Sequence, residues 1–207
     1  MSYRWKQETV PMTSILILQR ALDECGFQVV GSSKLIDELR AARLMIDSAK
    51  TNDEKILAYD ALVRVIEKCD DSNSLPKKIN LHNFSLSLNN SFRYEIGGES
   101  ESSNIPPSEL ANLVSRLNDT YKRIAKELDR ERHSAETSSM NHKMRAALER
   151  AVQAEKTSYD NSVKIAKQRI FEIIQKNAQK EGYSVKRNIF TNGKNAGREQ
   201  YVVVKRR

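Results

Sequence analysis

The chain has 207 residues, of which 39% are hydrophobic and 30% charged, and its formal net charge is +8. This length and hydrophobic content allow a buried core in one domain, or in one domain with an appendage. Two cysteines, Cys25 and Cys69, exclude a disulfide framework, and the apolar run 15–18 is too short to span a bilayer. We therefore expect a helix-rich, cytoplasmic protein.

The first segment has the pattern of a β-α-β unit. Residues 3–10 alternate loosely and predict a strand, and residues 27–30 are rich in β-formers and predict a second one. The intervening helix is indicated by an apolar stripe at helical spacing, Ile15, Leu18, Leu22 and Cys25. Gly26 supplies the left-handed residue that ends this helix.

A helical hairpin is predicted next, over residues 34–70. Residues 34–49 and 54–68 both carry apolar stripes wide enough for a core face. The residues between them, Thr51-Asn52-Asp53, end the first helix and cap the second. Because so short a turn forces the helices antiparallel, we interpret 34–70 as an inserted αα-hairpin.

A β-hairpin follows within 77–98. Phe84, Leu86 and Leu88 alternate with serines, and a second alternating run occupies residues 92–96. The two runs flank Asn89-Asn90-Ser91, a turn sequence. This pattern predicts one buried and one solvated face.

The segment 105–160 has the pattern of a long helical arm. A heptad seam follows the helix start at Pro107, at Leu110, Val114, Leu117, Tyr121, Ile124 and Leu128. Such a seam is typical of coiled-coil packing, so we interpret it as a surface that docks a protein partner or a second copy.

The seam fades over residues 129–141, and helical character returns from Met144. One straight helix over 107–181 would be roughly 110 Å long. We favour an antiparallel hairpin that folds back near 133–141. An extended dimerising rod is the alternative.

The closing stretch 161–207 predicts a helix ending at Gly182 and two strands, with Asn192-Gly193 in the turn between them. Residues 178–185 echo residues 22–29, since both run from an apolar-faced helix through a glycine to an aromatic and a strand. We expect 1–33, 77–98 and 161–207 to form one α+β core. The predicted fold is α+β: a small antiparallel sheet with helices on one face, the inserted αα-hairpin and the coiled-coil-like arm.

Positive charge is concentrated at the end of the chain. From Tyr183 onward there are seven basic residues and one acid, so this stretch holds six of the eight net charges. Candidate nucleic-acid-binding residues are Lys186, Arg187, Arg198, Lys205, Arg206 and Arg207. Aromatics beside cations can stack bases and pair with phosphates. The alternative is a cationic strand edge that blocks aggregation.

Both ends of the chain resemble a known family of small uncharacterised α+β proteins of cyanobacteria and red-algal plastids. The similar pieces are Met1-Ser2-Tyr3, the helix end at residues 21–27, and residues 165–206, about a third of the chain. The helical hairpin and the long arm depart from that pattern. Members of this family are often encoded near AAA-type ATPases, so the resemblance implies an accessory role. It implies no catalytic residues.

No motif for catalysis, a cofactor or a metal appears. His82, His133 and His142 do not lie at ligand spacing with a cysteine or carboxylate, and Gly97-Gly98 lacks the context of a phosphate loop. We therefore expect a non-catalytic adaptor that docks a protein partner or itself through helical arms. Nucleic-acid binding by the basic C-terminal hairpin is the alternative function.

Overall fold

The computed structural model describes residues 6–27, 29–30, 34–69, 75–81, 85–97, 106–136, 140–189 and 199–205. The helices in these ranges are α1 (Ile15–Glu24), α2 (Lys34–Ser48), α3 (Asn52–Glu67), α4 (Pro107–Glu136) and α5 (His142–Lys180). The strands are β1 (Lys6–Glu8), β2 (Val29–Val30), β3 (Lys78–Leu81), β4 (Ser85–Leu88), β5 (Tyr94–Gly97), β6 (Tyr183–Ile189) and β7 (Glu199–Lys205). The chain divides into two compact units, Met1–Ile165 and Ala166–Arg207.

The first unit confirms the predicted α+β fold, with an antiparallel five-stranded sheet in the order β1-β5-β4-β3-β2. The register pairs Ile79 with Leu86 and Leu88 with Tyr94, which places apolar side chains on one face. Tyr94 is fully buried on that face, and its hydroxyl donates to the Pro76 carbonyl at 2.9 Å. The opposite face carries polar residues, among them Asn80, Ser87 and Glu95.

The sheet differs from the predicted β-α-β unit in one respect. β1 and β2 lie at opposite edges, because β3 and the β4–β5 hairpin stand between them. The sequence did not indicate β3, whose four residues alternate between polar and apolar over too short a run. Within the described residues, both edge strands have three residues or fewer.

Local signals set the helix ends where the sequence predicts them. Ser14 caps α1 by accepting the Ile17 N–H, and Gly26 follows the helix with φ at +70°. Thr51 and Glu54 form a capping box at the start of α3. Lys68, at the end of α3, lies 3.1 Å from Glu38 near the start of α2, so the two helices form the predicted antiparallel hairpin.

Helices α4 and α5 fold back on each other within the first unit. Lys156 lies 3.4 Å from Asp129, and Arg20 bridges Glu131 and Glu155. Near the other end of this pair, the Thr13 hydroxyl lies 3.4 Å from that of Ser162. The first part of α5 therefore runs antiparallel to α4 and is not the continuation of an extended rod.

The expectation that 161–207 shares the sheet of 1–33 and 77–98 is wrong. Among the described strands, β6 and β7 pair only with each other, in a two-stranded antiparallel sheet. Within the second unit, Phe171 of α5 stacks on Tyr201 of β7 with ring centroids 5.5 Å apart. The turn predicted at Asn192-Gly193 lies outside the described residues. None of the helices in the described ranges has both the length and the apolarity that a membrane span requires.

Candidate functional site

The heptad seam of α4 lies inside the first unit. All six of its residues are buried, with at most 4% of each exposed: Leu110, Val114, Leu117, Tyr121, Ile124 and Leu128. Elements at the start of the chain contact the same helix, since Asn118 accepts the Val10 N–H at 2.9 Å. The prediction that this seam contacts a partner is therefore wrong. A heptad indicates that a helix packs against something, but the covering elements here belong to the same chain.

Tyr121 joins the seam to the start of α1. Its hydroxyl accepts the backbone N–H groups of Thr13 and Ser14, both at 3.0 Å. Burial raises the pKa of Tyr121 to about 12, although these two donors favour the ionised form. The hydroxyl thus satisfies two buried amides where the chain enters α1.

A network of charged side chains lies beside this packing. Arg20 of α1 donates to both carboxylate oxygens of Glu131, at 2.7 and 3.2 Å, and lies 3.4 Å from Glu155. Glu155 is only 5% exposed, and its other oxygen lies 2.9 Å from Arg43 of α2. Burial alone would lower the pKa of Arg20, but the hydrogen bond to Glu131 and the charge of Glu155 raise it overall.

The network continues along α1 and α2. Arg43 donates to Gln19 at 3.0 Å, and Gln19 donates to Asp23 at 2.5 Å. Arg40 forms a bidentate pair with Asp23, with the shorter contact at 2.6 Å, and this hydrogen bond raises the pKa of Arg40. One connected set of polar groups therefore joins α1, α2, α4 and α5.

These groups line a cleft of about 920 Å³ between the five helices. Its apolar walls are Leu44, Ile46, Tyr59, Leu62, Leu148 and Val152. Six carboxylates and four guanidinium groups also line it, so its charge is acidic on balance. Apolar walls with convergent polar groups are typical of binding clefts.

The sequence did not point to this network, because its members are far apart in the chain. Arg20 is 111 residues from Glu131 and 135 from Glu155. One local signal was available: Glu155 follows Ala147 and Ala151 at spacings of four, which puts a carboxylate on the buried stripe of α5. A carboxylate at such a position requires a cationic partner.

Large apolar side chains are exposed near the tip of the α2–α3 hairpin. Leu44, Met45 and Leu57 are between 50% and 65% exposed. All three lie within two turns of the connection between the helices, and Leu44 also lines the cleft. We refer to these three residues as the tip patch.

The basic residues of the second unit do not share one face of its hairpin. Lys186 and Lys205 are exposed, and Arg187 is half-buried. In the β6–β7 register, Lys186 lies on one face, whereas Arg187 and Lys205 lie on the other. Arg198, Arg206 and Arg207 lie outside the described residues.

In the part of the chain that the structure describes, no three histidine, cysteine or acidic side chains are grouped to hold a metal ion. Cys25 and Cys69 are both buried, and the Cys69 thiol donates to the Val65 carbonyl. No protein-family model matches the chain, and no curated protein or solved structure is significantly similar to it. The resemblance of the chain's ends to the plastid and cyanobacterial family therefore stays a prediction.

Proposed function

We propose that the protein is a non-catalytic adaptor that binds a partner protein at the tip patch and the adjoining cleft. The tip patch is the observation that carries the proposal. Single exposed apolar side chains are ordinary, but three large ones at one hairpin tip beside an apolar-walled cleft are typical of docking surfaces. In this proposal the α2–α3 hairpin contacts the partner protein, whereas the sequence suggested that the seam of α4 does so.

The charges of the cleft favour a particular occupant. Carboxylates outnumber guanidinium groups in its lining, and the walls between them are apolar. An amphipathic helix with apolar anchors and a basic flank complements both features. We therefore propose such a helix of the partner protein as the occupant.

The pairing of the cleft's charges supports a role without catalysis. Glu155 lies between two guanidinium groups, and Asp23 is held by Arg40 and Gln19. A general acid or base must exchange its proton with a substrate, and these oxygens are already engaged by neighbouring side chains. The network is therefore suited to a structural role, in which it holds the helices in place.

Site-specific crosslinking in cells tests the proposal. A photoreactive amino acid replaces Leu44 or Leu57, and Ser115, an exposed residue of α4, is the matched control position. We expect positions 44 and 57 to give one discrete adduct and position 115 to give none. Leu44→Glu should abolish the adduct that forms from position 57. Adducts that do not differ between these positions would count against the proposal.

Nucleic-acid binding by the β6–β7 hairpin remains the second candidate function. The concentration of six of the eight net charges from Tyr183 onward favours it. Lys186 and Arg187 lie on opposite faces of the hairpin. This arrangement supports nucleic-acid binding less than a continuous basic surface would.

A further inference from the structure

The positive charge of the chain belongs to its second unit. Ala166–Arg207 has eleven basic and three acidic residues, so its net charge equals the +8 of the whole chain. The first unit has 24 basic and 24 acidic residues and is neutral. Because charge of one sign attracts polyanions, the second unit is the part of the chain that favours phosphate ligands.

The exposed face of α5 within this unit is basic. Lys176 and Lys180 are exposed, and their spacing of four residues places them on one face of the helix. Ile173, which is 40% exposed, and half-buried Arg169 lie on the same face. Neither lysine forms an ion pair among the residues that the structure describes. We refer to Lys176 and Lys180 as the α5 lysine pair.

The neighbours of this pair favour phosphates over a lipid surface. Glu172, the only acid of α5 in this unit, accepts a hydrogen bond from Gln168 at 2.9 Å. Among the described residues of α5 in this unit, Ile173 is the only large apolar one that is exposed. A helix that lies on a membrane needs a broad apolar face, which this helix does not present to solvent.

The described aromatic residues of the hairpin are turned towards α5. Tyr201 stacks on Phe171 of α5, with ring centroids 5.5 Å apart. Tyr183 lies on the same face of the hairpin as Tyr201 in the β6–β7 register. The described residues on the opposite face of the hairpin are not aromatic, so that face has no ring on which the bases of a single strand stack.

We propose that the second unit binds the phosphate backbone of a double-stranded nucleic acid through the α5 lysine pair. A duplex is a stiff rod with about one negative charge per 1.7 Å of its axis, so a rigid helix contacts its phosphates without ordering the ligand. A single strand has about half that charge density and must be ordered against the helix, with no stacking to offset the cost. The inference rests on the second candidate function and places its site on α5. It is independent of the adaptor function.

Salt-dependent binding of the full-length protein to duplex DNA, duplex RNA and single-stranded DNA of equal length tests the proposal. We expect at least one duplex to bind about tenfold more tightly than the single strand. Lys176→Ala/Lys180→Ala should weaken binding to that duplex about tenfold and reduce the slope of log affinity against log salt by about 2. Lys122→Ala/Lys126→Ala, two exposed lysines at the same spacing on α4, is the matched control and should bind like wild type.

A conservative variant separates the charge of the lysine pair from its effect on the fold. Lys176→Arg/Lys180→Arg keeps both charges and should keep the salt dependence of wild type. Because both positions are exposed, the alanine and arginine variants should share the urea midpoint of wild type. If the arginine variant loses as much affinity as the alanine variant, charge at these positions does not carry the binding and the assignment is wrong.

The remaining outcomes separate this inference from the function on which it rests. If Lys186→Ala/Lys205→Ala weakens duplex binding and the α5 alanine variant does not, the hairpin is the site, and only the α5 assignment is wrong. If no probe binds in a salt-dependent manner, the nucleic-acid function fails as well. Tighter binding of the single strand than of either duplex would overturn the proposal. So would an α5 alanine variant that loses affinity for phosphatidylserine vesicles and keeps its affinity for duplexes.

Discussion

Arg43 of α2 and Glu155 of α5 form an ion pair with 2.9 Å between Nη2 and Oε1. The carboxylate is nearly buried and also lies 3.4 Å from Arg20 of α1. A buried charge is costly unless it is paired, so each of these groups needs the others. The inserted helical hairpin is thereby held to the helices that carry the rest of the first unit.

Removing the Glu155 charge is expected to destabilise the protein strongly. Glu155→Gln leaves two guanidinium groups without their shared carboxylate, and breaking a buried pair in this way costs about 3 kcal/mol. Glu149→Gln on the same helix is the control, because its pair with Arg145 is solvent-exposed and should contribute less than about 1 kcal/mol. Urea unfolding measures both. Equal losses in the two variants would contradict the network's structural role.

Tyr121→Phe tests the link between α4 and the start of α1. The change leaves the N–H groups of Thr13 and Ser14 without their acceptor, and we expect a loss of about 2 kcal/mol. The measurement is the free energy of unfolding in urea at neutral pH. Tyr183→Phe in the second unit is the control, and a variant at position 121 as stable as wild type would show that the hydroxyl is dispensable.

The same tyrosine predicts a loss of stability at alkaline pH. Its pKa rises from an ordinary 10.0 to about 12 on folding, because burial disfavours the phenolate. Its contribution is therefore fully present below pH 10 and is lost as the pH rises through 12. Buried Tyr94 and half-buried Tyr159 have raised pKa values and act in the same direction. Stability measured from pH 8 to 12 should fall less steeply above pH 10 in Tyr121→Phe than in wild type, and identical slopes would contradict this.

The buried position of the seam predicts the effect of shortening its side chains. Ile124 is fully buried, so Ile124→Ala should cost about 3 kcal/mol by leaving a cavity, with no change in oligomeric state. Lys126→Ala, at an exposed position of the same helix, should change stability by less than about 0.5 kcal/mol. If the seam joined two copies, Ile124→Ala would dissociate a dimer and leave the fold of the monomer intact.

Nucleic-acid binding is tested by the salt dependence of affinity for single- and double-stranded probes. If the hairpin binds phosphates, Lys186→Ala/Lys205→Ala should weaken binding and reduce the slope of log affinity against log salt by about 2. Lys34→Ala/Lys50→Ala, in the first unit, is the control at equal net charge. Binding with no salt dependence, or a loss of affinity equal to that of the control variant, would rule out nucleic-acid binding by this hairpin.

The sequence predicted those elements that local chemistry specifies. The α2–α3 hairpin follows from two apolar stripes and the Thr51 cap, and the β4–β5 hairpin follows from alternation around Asn89. Both depend on residues a few positions apart. Strand β3 was missed because a four-residue strand carries little periodic signal.

Long-range relationships were beyond such reasoning. The seam from Leu110 to Leu128 has the same spacing whether a partner or the chain itself covers it, and here α1 and the start of the chain contact that helix. The hairpin β6–β7 has the pattern of sheet strands, but periodicity does not state which strand lies beside another. The contact of Arg20 with Glu155 joins residues 135 apart, which no local pattern indicates.

The most direct test of the adaptor function is a calorimetric titration with a purified partner. The protein captured by crosslinking at position 57 is titrated against wild type and against Leu44→Glu/Leu57→Glu. Because the tip patch is exposed, we expect the variant to keep its urea midpoint and to bind at least about tenfold more weakly. Equal dissociation constants for wild type and variant, with equal urea midpoints, would contradict docking at the α2–α3 tip.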